Sequence, residues 1–312
     1  QAEDGIRDLV RSRGLGDVYK RQVQMDDRSF SESVEAGVLY SCVMPGSGNV
    51  IGGRTALIRN FSGNSNDAFI KGCGIKAALG YNPKSTTEWK GTRPSTRMGA
   101  VAMLRGMLKR GMKAKGLLEK EKKVPEEIDP AEEAVMGLLE GKDVLRVHVH
   151  KEDDITALVR LKNEFGIRVT IEHAADVYKR GTFELMGKEG IPLVYGPVDS
   201  FAYKVELKHE SWRNIAHLIA SGIEFGLMSD HPVILQRNLF LQLRHFLRFG
   251  MAREECIGLI TRRNAKICGV DDELGGIGKG KLASLVCWKG DPFVMGSHPS
   301  GVYAEGKEIL FE

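Results

Sequence analysis

Three residues that can bind a metal ion follow apolar runs between residues 144 and 230: His148, His173 and Asp230. Each run has the length and composition of a buried strand. Two neutral imidazoles and one carboxylate suit a zinc-like divalent ion that keeps one position open for water. Such an ion lowers the pKa of its water, and a carboxylate can pass the released proton to a leaving nitrogen. These residue types therefore predict a hydrolytic metal centre, with Asp230 as both ligand and catalytic base.

The stretch around Asp230 carries the most distinctive of these signals. An apolar run from Ile223 leads to Ser229, Asp230 and His231, and Pro232 ends the strand. A carboxylate at the end of a buried strand is costly unless a cation or an activated water uses its charge. The same four residues also fit a capped turn, and a single histidine also fits a hydrogen-bonded core residue. The metal interpretation therefore depends on all three residues meeting.

Six further residues are candidates for contacts to a substrate. His150 shares a strand face with His148. Because His148 ends the apolar run, it is assigned as the ligand, and His150 as a substrate or outer-shell group. The others follow predicted strands or open a predicted helix, and a cation among them could hold a substrate carboxylate: Tyr195, Lys204, Glu206, Arg97 and His231. Taken singly, each also fits a surface or capping role.

A regular alternation of strands and helices is expected to position these residues. From residue 144 the two alternate at intervals of about 25 to 35 residues, the rhythm of a parallel α/β barrel. Strands are predicted at 144–148, 167–173, 191–196 and 223–230, and helices from Asp153 or Asp154 to Gly166, at 176–188 and at 211–220. An open doubly wound sheet shares this alternation, but no Gly-x-Gly-x-x-Gly lies between a strand and a helix. Since the C-terminal ends of barrel strands share one face, the candidate ligands should converge there.

The first half and the tail are less regular. Strands are predicted at 38–44 and 75–80, a hairpin at 50–60, helices at 27–34, 94–108 and 131–139, and a charged surface insertion at 113–130. Two more helices are predicted at 238–248 and 253–267. Short β-type runs broken by Gly and Pro make residues 278–312 part of a small β-domain, so the barrel is assigned to residues 23–277.

Composition is that of an ordinary globular protein. The net charge of +4 over 312 residues is too small and too dispersed to indicate nucleic-acid binding. The five cysteines, odd in number and without Cys-x-x-Cys, fit reduced thiols rather than a disulfide frame or a thiolate zinc site. No apolar run is long enough to span a bilayer, and no secretory signal is visible. We expect a cytoplasmic protein with a small-molecule substrate and no membrane partner; the oligomeric state is left open, a homo-oligomer included.

Several motifs together resemble the amidohydrolase superfamily, and most closely its imidazolonepropionase-like branch. The late strands carry the resemblance first, in Val147-His148-Val149-His150, Ile171-Glu172-His173 and Ser229-Asp230-His231-Pro232. Further matches are residues 37–53, 93–99 and 260–270, the run Gly275-Gly276-Ile277-Gly278 with its continuation to Val286, and Gly290-Asp291-Pro292. Jointly these motifs are specific, and they cover residues 26 to 312.

The resemblance implies a fold and an activity. The fold is a (β/α)8 TIM barrel of the metal-dependent hydrolase type with a small composite β-domain. The activity is metal-dependent hydrolysis of amide or other C–N bonds, often in cyclic or small peptide-like substrates. By position, His148 and His173 match the ligands of the fifth and sixth strands, and Asp230 matches the aspartate of the eighth. Zinc is the expected metal. One ion or two is left open, because Lys76 is predicted to begin a strand and so supplies no bridging lysine at the end of the fourth.

The resemblance is incomplete at the N-terminal end. The family's first strand carries His-x-His, and no histidine pair here forms that motif before the fifth strand. Residues 1–22 lack periodicity and end in a hexapeptide, Asp17 to Gln22, that resembles a translated sequencing adapter, so they are predicted to be non-native. The chain is thus expected to be a truncated copy that lacks the first barrel strand. Two other interpretations remain: a non-catalytic or inactive barrel protein, and a prolidase-like dipeptidase.

Overall fold

The computed structural model describes residues 23–85, 93–202 and 204–309. The predicted adapter-derived segment lies outside these ranges, as do the last residues of the predicted final strand. In the described parts the strands are β1 (Tyr40–Val43), β2 (Ile51–Arg59), β3 (Phe69–Ala78), β4 (Leu145–Val149), β5 (Val169–His173), β6 (Leu193–Tyr195), β7 (Phe225–Leu227), β8 (Leu285–Trp288), β9 (Pro299–Ala304) and β10 (Lys307–Ile309).

The α-helices flank these strands in chain order. They are α1 (Arg28–Glu35), α2 (Ser65–Ala68), α3 (Asn82–Ser85), α4 (Arg97–Glu119), α5 (Pro130–Leu139), α6 (Glu152–Phe165), α7 (Arg180–Lys188), α8 (Asn214–Ala220), α9 (Leu243–Leu247), α10 (Arg253–Ile260) and α11 (Arg262–Cys268). Short 3-10 turns lie at Pro125–Glu127, Val205–Leu207, Gln236–Asn238 and Phe240–Gln242. Among the helices in the described ranges, none is both long and apolar enough to cross a bilayer.

Seven strands form one sheet in the order β1 to β7. The first three strands pair antiparallel, and β3 to β7 pair parallel, each neighbour joined by a crossover that contains helices. The parallel part curls into a half-barrel, with α6, α7 and α8 between successive strands. In the described residues β1 and β7 are the two edges of the sheet. The predicted fold class, an α/β barrel of this type that is not closed, is confirmed.

The antiparallel part corrects two predictions. Residues 51–59 form a single strand that pairs with β1 on one side and β3 on the other, so the hairpin is β1–β2 rather than one within 50–60. Register shifts beside Gly53, whose φ is +131°, let β2 stay paired across its two adjacent glycines. The strand predicted at 75–80 starts earlier, at Phe69. Lys76 therefore lies near the C-terminal end of β3 and does not begin a strand.

Two helix boundaries also differ from the prediction. Helix α4 continues to Glu119, so the first part of the predicted charged insertion is helical. Its buried residues Gly111 and Ala114 let it pack beside α5, whose Val135 lies where a Cβ on Gly111 would sit. Helix α6 begins after Lys151 rather than after Asp153 or Asp154. Gly166 ends it in the left-handed conformation, φ +65°, as predicted.

The core lies between the sheet and the helices. Helix α6 contributes Ile155, Leu158 and Leu161, which fall on one face and are at most 3% exposed. The sheet contributes alternate residues from the parallel strands, among them Val147, Ile171 and Leu193. A second sheet, β8–β9–β10, is antiparallel. It packs through Val302 and Ala304 on Val34 of α1 and on Leu39, so the tail returns beside the start of the described chain.

Candidate active site at the mouth of the half-barrel

The parallel register places polar residues from three strands on one face of the sheet. Laterally paired residues point to the same side of a sheet, and successive residues point to opposite sides. Ala78 pairs with His148 and His148 with Glu172, while Lys76 pairs with Arg146. The residues between these positions, such as Val147 and Ile171, point to the other side of the sheet and pack in the apolar core with the helices. The polar row therefore lines the concave interior of the half-barrel, with His148 and His150 at its C-terminal end.

His173 reaches the same cluster by a change in backbone conformation. It is the last residue of β5 and pairs with Val149 and Tyr195, which belong to the apolar row, so simple alternation would send its ring toward the helices. Its φ is +83° instead, and that of Ala174 is +53°. A non-glycine residue in this region costs about 1–3 kcal/mol and is found where the surroundings require it. The turn brings the His173 ring centroid to 4.5 Å from that of His148.

The three imidazoles form a compact buried group. The ring centroids of His148 and His150 are 4.6 Å apart, and those of His150 and His173 are 5.0 Å apart. None of the three residues is more than 5% exposed. Within the described residues, neither ring nitrogen of His148 or of His150 has a hydrogen-bond partner, although all four are buried. Buried polar atoms are nearly always paired, so these four nitrogens identify a position that requires a ligand.

Electrostatics keep these rings in the form that binds a metal. Burial lowers the pKa of His148 and of His150 well below the ordinary value, and the neighbouring His173, Lys76 and Lys204 lower both further. Burial also lowers the pKa of His173, while the charge of Asp230 acts in the opposite direction. The neutral imidazole is the species that coordinates a metal ion. At neutral pH all three rings are therefore available as donors.

Glu206 supplies a carboxylate to the same group from a loop after β6. It lies in the 3-10 turn Val205–Leu207 and is buried. Its Oε2 accepts a hydrogen bond from the backbone N–H of Tyr81 at 2.8 Å, and its buried Oε1 has no partner in the described residues. Ligand atoms of His148, His150 and Glu206 lie within 4.8 Å of one another. Burial raises the pKa of Glu206, and the hydrogen bond from Tyr81 opposes this.

Asp230 lies on the other side of the cluster, beside His173. The Nδ1 of His173 is 2.9 Å from the carbonyl oxygen of Gly196, to which it donates, and this leaves Nε2 as the lone-pair nitrogen. Asp230 Oδ2 is 4.0 Å from the same Nδ1. Asp230 is exposed and lies in a turn after β7. A hydrogen bond of 2.8 Å from the backbone N–H of Val233 to the carbonyl oxygen of Asp230 closes this turn. The sequence allowed either a capped turn or a carboxylate at the strand end here. Both features are present.

Lys76 is a site residue that the sequence analysis missed. It is 4% exposed, and its Nζ donates to Ser47 Oγ at 2.7 Å, in the loop between β1 and β2. Burial lowers its pKa to about 8, while the charges of Glu172 and Asp230 raise it. It lies two residues before Ala78, the register partner of His148. One signal in the sequence could have located Lys76. The short apolar run 77–79 is closed by Gly80, which indicates that the strand ends shortly after Lys76 rather than beginning there.

Three of the predicted substrate contacts lie elsewhere. Tyr195 is in the apolar row, its ring 6.3 Å from that of Phe183 on α7. Arg97 is held by Asp154, to whose two carboxylate oxygens its Nε donates at 3.0 and 3.1 Å. His231 is exposed, and its Nδ1 accepts from the backbone N–H of Gln236 at 3.3 Å. In the described structure Tyr195 thus packs on the helix side, Arg97 forms an ion pair and His231 holds a turn; their contact with a substrate stays a prediction.

Comparisons with known proteins identify the family of this chain. Residues 108–309 match the profile of the Amidohydrolase family. A solved structure of an amidohydrolase from Thermotoga maritima MSB8 is 34% identical, superposes with a TM-score of 0.87, and is matched over 94% of this chain and 77% of its own. The chain belongs to the amidohydrolase family. The predicted family is thereby confirmed, whereas the imidazolonepropionase-like branch stays a prediction.

Two further likenesses are more distant. The amidohydrolase tasK of Hapsidospora irregularis is 25% identical over 298 residues, which is 86% of this chain and 30% of that protein. The chain thus spans about a third of the length of this curated relative. A prolidase structure complexed with N-methylphosphonate-L-proline is 19% identical with a TM-score of 0.47, over 57% of this chain and 48% of its own. That likeness is too low to bear on function.

Proposed function

We propose that this chain binds a divalent metal ion, zinc in the first place, at the mouth of the half-barrel, and that it hydrolyses an amide or cyclic-amide C–N bond there. The observation that carries the proposal is the set of four buried, unpartnered ring nitrogens of His148 and His150 beside Glu206. Neutral imidazoles and a carboxylate are the donors that zinc-like ions prefer. Membership of the amidohydrolase family and the burial that keeps the rings neutral support the same conclusion.

Two candidate donor sets share His148. One is the predicted set of His148, His173 and Asp230, in which Asp230 Oδ2 lies 4.0 Å from Nδ1 of His173, the nitrogen that donates to Gly196. The other is His148 with His150 and Glu206, whose ligand atoms lie within 4.8 Å of one another. The hydrogen bond from His173 to Gly196 orients the first set, and that from Tyr81 orients the second. One ion per chain would use one of the sets and two ions would use both. The number of metal equivalents that His148→Ala loses relative to the parent chain, one or two, separates these cases.

The residues at the mouth have distinct tasks in hydrolysis. A divalent ion bound there supplies Lewis acidity, which polarises a carbonyl and makes water more acidic. Asp230 is exposed at the mouth, where it can accept the proton of the attacking water and pass it to the leaving nitrogen. His173 keeps its orientation through Gly196. Lys76 and Lys204, whose charges reach the histidines, can stabilise negative charge on a substrate.

Metal binding tests the site directly. Reduced, metal-free chain should take up Zn²⁺, and His148→Ala should lose one or two equivalents of this uptake, with the affinity at the mouth lowered by more than ~100-fold, because both donor sets lose a ligand. His217→Ala, which removes an exposed histidine on α8, is the matched control and should bind as the parent chain does. If His148→Ala binds as many equivalents of Zn²⁺ as the parent chain, the proposed metal centre is wrong.

Turnover is tested separately, on the metal-loaded chain. A panel of dipeptides and cyclic amides separates the prolidase-like specificity from a lactam or ring-opening one. Asp230→Asn should abolish turnover while the metal content changes little, since the second donor set is intact. Metal binding without turnover of any substrate in the panel would favour a binding protein on this fold. A cytoplasmic location also remains a proposal, supported by five free cysteines.

A further inference from the structure

Three of the five cysteines converge inside the half-barrel, although no spacing in the sequence indicates that they meet. Cys42 belongs to β1, Cys73 to β3, and Cys268 is the last residue of α11. Their sulfur atoms all lie within 4.8 Å of one another. Cysteine spacing had argued against a thiolate site, because no two of these cysteines are neighbours in sequence. We call Cys42, Cys73 and Cys268 the thiol cluster.

The thiol cluster lies toward the end of the sheet opposite to the histidines. Cys73 comes five residues before Ala78, the register partner of His148, and at about 3.3 Å per residue this places it ~17 Å along the strand. Its surroundings are apolar: Leu57, Ala265, Val270 and Leu274 pack around it. No residue of the thiol cluster belongs to either donor set at the mouth. The cluster therefore needs an explanation of its own.

A disulfide does not account for the three sulfurs. Cys42 and Cys73 lie on strands separated by β2, so their Cα atoms are about 9–10 Å apart. A disulfide requires Cα atoms closer than about 7 Å. Any bridge from Cys268 would also leave one thiol over. Three thiolates around one ion at about 2.3 Å, by contrast, have sulfur atoms about 3.8 Å apart in tetrahedral geometry, which the observed spacing approaches.

Positive charge compensates the thiolates. Arg146 is 2% exposed, and its Nη2 lies 4.0 Å from Cys268 Sγ. The same guanidinium donates to the carbonyls of Cys73 and Ile267 at 2.6 and 3.0 Å, which fixes it beside the thiol cluster. Lys71 is bound to the carbonyl of Gly269 at 2.8 Å. A divalent ion with three thiolates carries one negative charge, and two cations with the single carboxylate of Glu172 balance it.

We propose that the thiol cluster is a second metal site, in which Cys42, Cys73 and Cys268 bind a thiophilic divalent ion of the Zn²⁺ class. The ion joins the antiparallel strands to the end of α11, and its role is structural because the cluster lies among apolar side chains and shares no residue with the donor sets at the mouth. Structural sites of this kind are enclosed by apolar side chains, as this one is. Cys42 and Cys268 are partly exposed, which gives an ion access from solvent. The proposal does not depend on the function proposed for the mouth.

Cobalt and cadmium report on this site selectively, because sulfur ligands give charge-transfer absorption that nitrogen and oxygen ligands do not. Reduced full-length chain, freed of reductant, is titrated with Co²⁺ and with Cd²⁺. We expect a sulfur-to-metal band that saturates at one equivalent. In Cys268→Ser, Cys73→Ser and Cys42→Ser the Cd²⁺ affinity from this band should fall by more than ~100-fold. Cys287→Ser, which removes an exposed cysteine outside the cluster, should leave it unchanged.

Two further measurements keep the test decisive. A double variant His148→Ala and His173→Ala should retain the full band, so that failure at the mouth and failure at the thiol cluster are distinguishable. Should a serine variant not fold, the parent chain alone suffices: one equivalent of Cd²⁺ must protect three of its five thiols from a thiol reagent. Absence of the band, equal bands in parent and Cys268→Ser, or unprotected thiols would each overturn the proposal.

Discussion

The mouth of the half-barrel and the thiol cluster hold donor groups in the same curved sheet, but they are built differently. At the mouth the donors follow strand ends and loops, one backbone is turned to φ +83°, and the carboxylate of Asp230 is exposed. The thiol cluster uses the middle of two strands and a helix end, within an apolar shell. Open sites with unpartnered donors suit reactions, and enclosed sites suit structure. The two regions therefore differ both in donor type, imidazole and carboxylate against thiol, and in position along the strands.

A layer of buried charge lies between the two regions. Arg146 Nη1 is 3.3 Å from Glu172 Oε1, and Thr170 Oγ1 donates to the same oxygen at 2.7 Å. Glu172 also raises the pKa of Lys76. Both members of the Arg146–Glu172 pair are at most 2% exposed. This buried pair thus has contacts toward both regions, through Lys76 at the mouth and through Cys268 at the thiol cluster.

Arg146→Met should have the largest effect. It leaves the Glu172 carboxylate buried without its cation and two carbonyls without their donor, so the free energy of unfolding should fall by about 3–5 kcal/mol. Urea denaturation measures this. Arg146→Met combined with Glu172→Gln should recover part of the loss, because no uncompensated charge remains. A loss below about 1 kcal/mol in the single variant would contradict the role assigned to this layer.

Lys76 should make the stability of the metal-free chain depend on pH. Its folded pKa of about 8 lies below the ordinary value of 10.5, so between these values the unfolded state binds more protons than the folded state. Stability should therefore rise with pH through this window, by about 3 kcal/mol in all, and fall as pH drops toward 8. Lys76→Met should remove this slope when unfolding is compared from pH 7 to 10.5. If the slope of stability against pH is the same in Lys76→Met as in the parent chain, burial does not lower the pKa of Lys76.

Gly80→Ala should disturb the mouth specifically. Gly80 has φ +83°, and a Cβ there would lie 2.6 Å from Glu206 Oε2. The backbone strain should cost about 1–3 kcal/mol, and displacement of Glu206 should also weaken metal binding. Gly141→Ala is the matched control, because its φ is +69° but no atom lies within 4 Å of the added Cβ. Calorimetric titration should show a lower Zn²⁺ affinity for Gly80→Ala but not for Gly141→Ala. Equal Zn²⁺ affinities in the two variants would show that Glu206 is not a ligand of the metal.

Tyr195→Phe should have the smallest effect. The ring lies on the helix side of the sheet, against Phe183, so neither Zn²⁺ affinity nor turnover should change. The free energy of unfolding should change by less than about 1 kcal/mol, since the apolar volume is kept. A marked loss of turnover at unchanged metal content would instead restore Tyr195 to the substrate site, as the sequence had suggested.

Much of the half-barrel could be predicted from the sequence because its signals are local. The alternation after residue 144 gave four parallel strands and the helices between them, and the left-handed Gly166 gave the end of α6. His148, His173 and Asp230 were expected at one edge, and the register and turns bring them to the mouth. Each of these inferences depends on a period, a cap or a strand end that spans a few residues.

Tertiary structure alone decided the rest, because it depends on contacts between residues far apart in the chain. Alternation would have turned His173 away from the cluster, and only the conformation after β5 brings it back. Glu206 enters the site through a loop whose position is set by Tyr81 and Gly80. The thiol cluster joins two strands to a distant helix, and no local pattern encodes that meeting. The sequence by itself determined which strands form and which donors end them; backbone turns, loop positions and helix packing determined which donors meet.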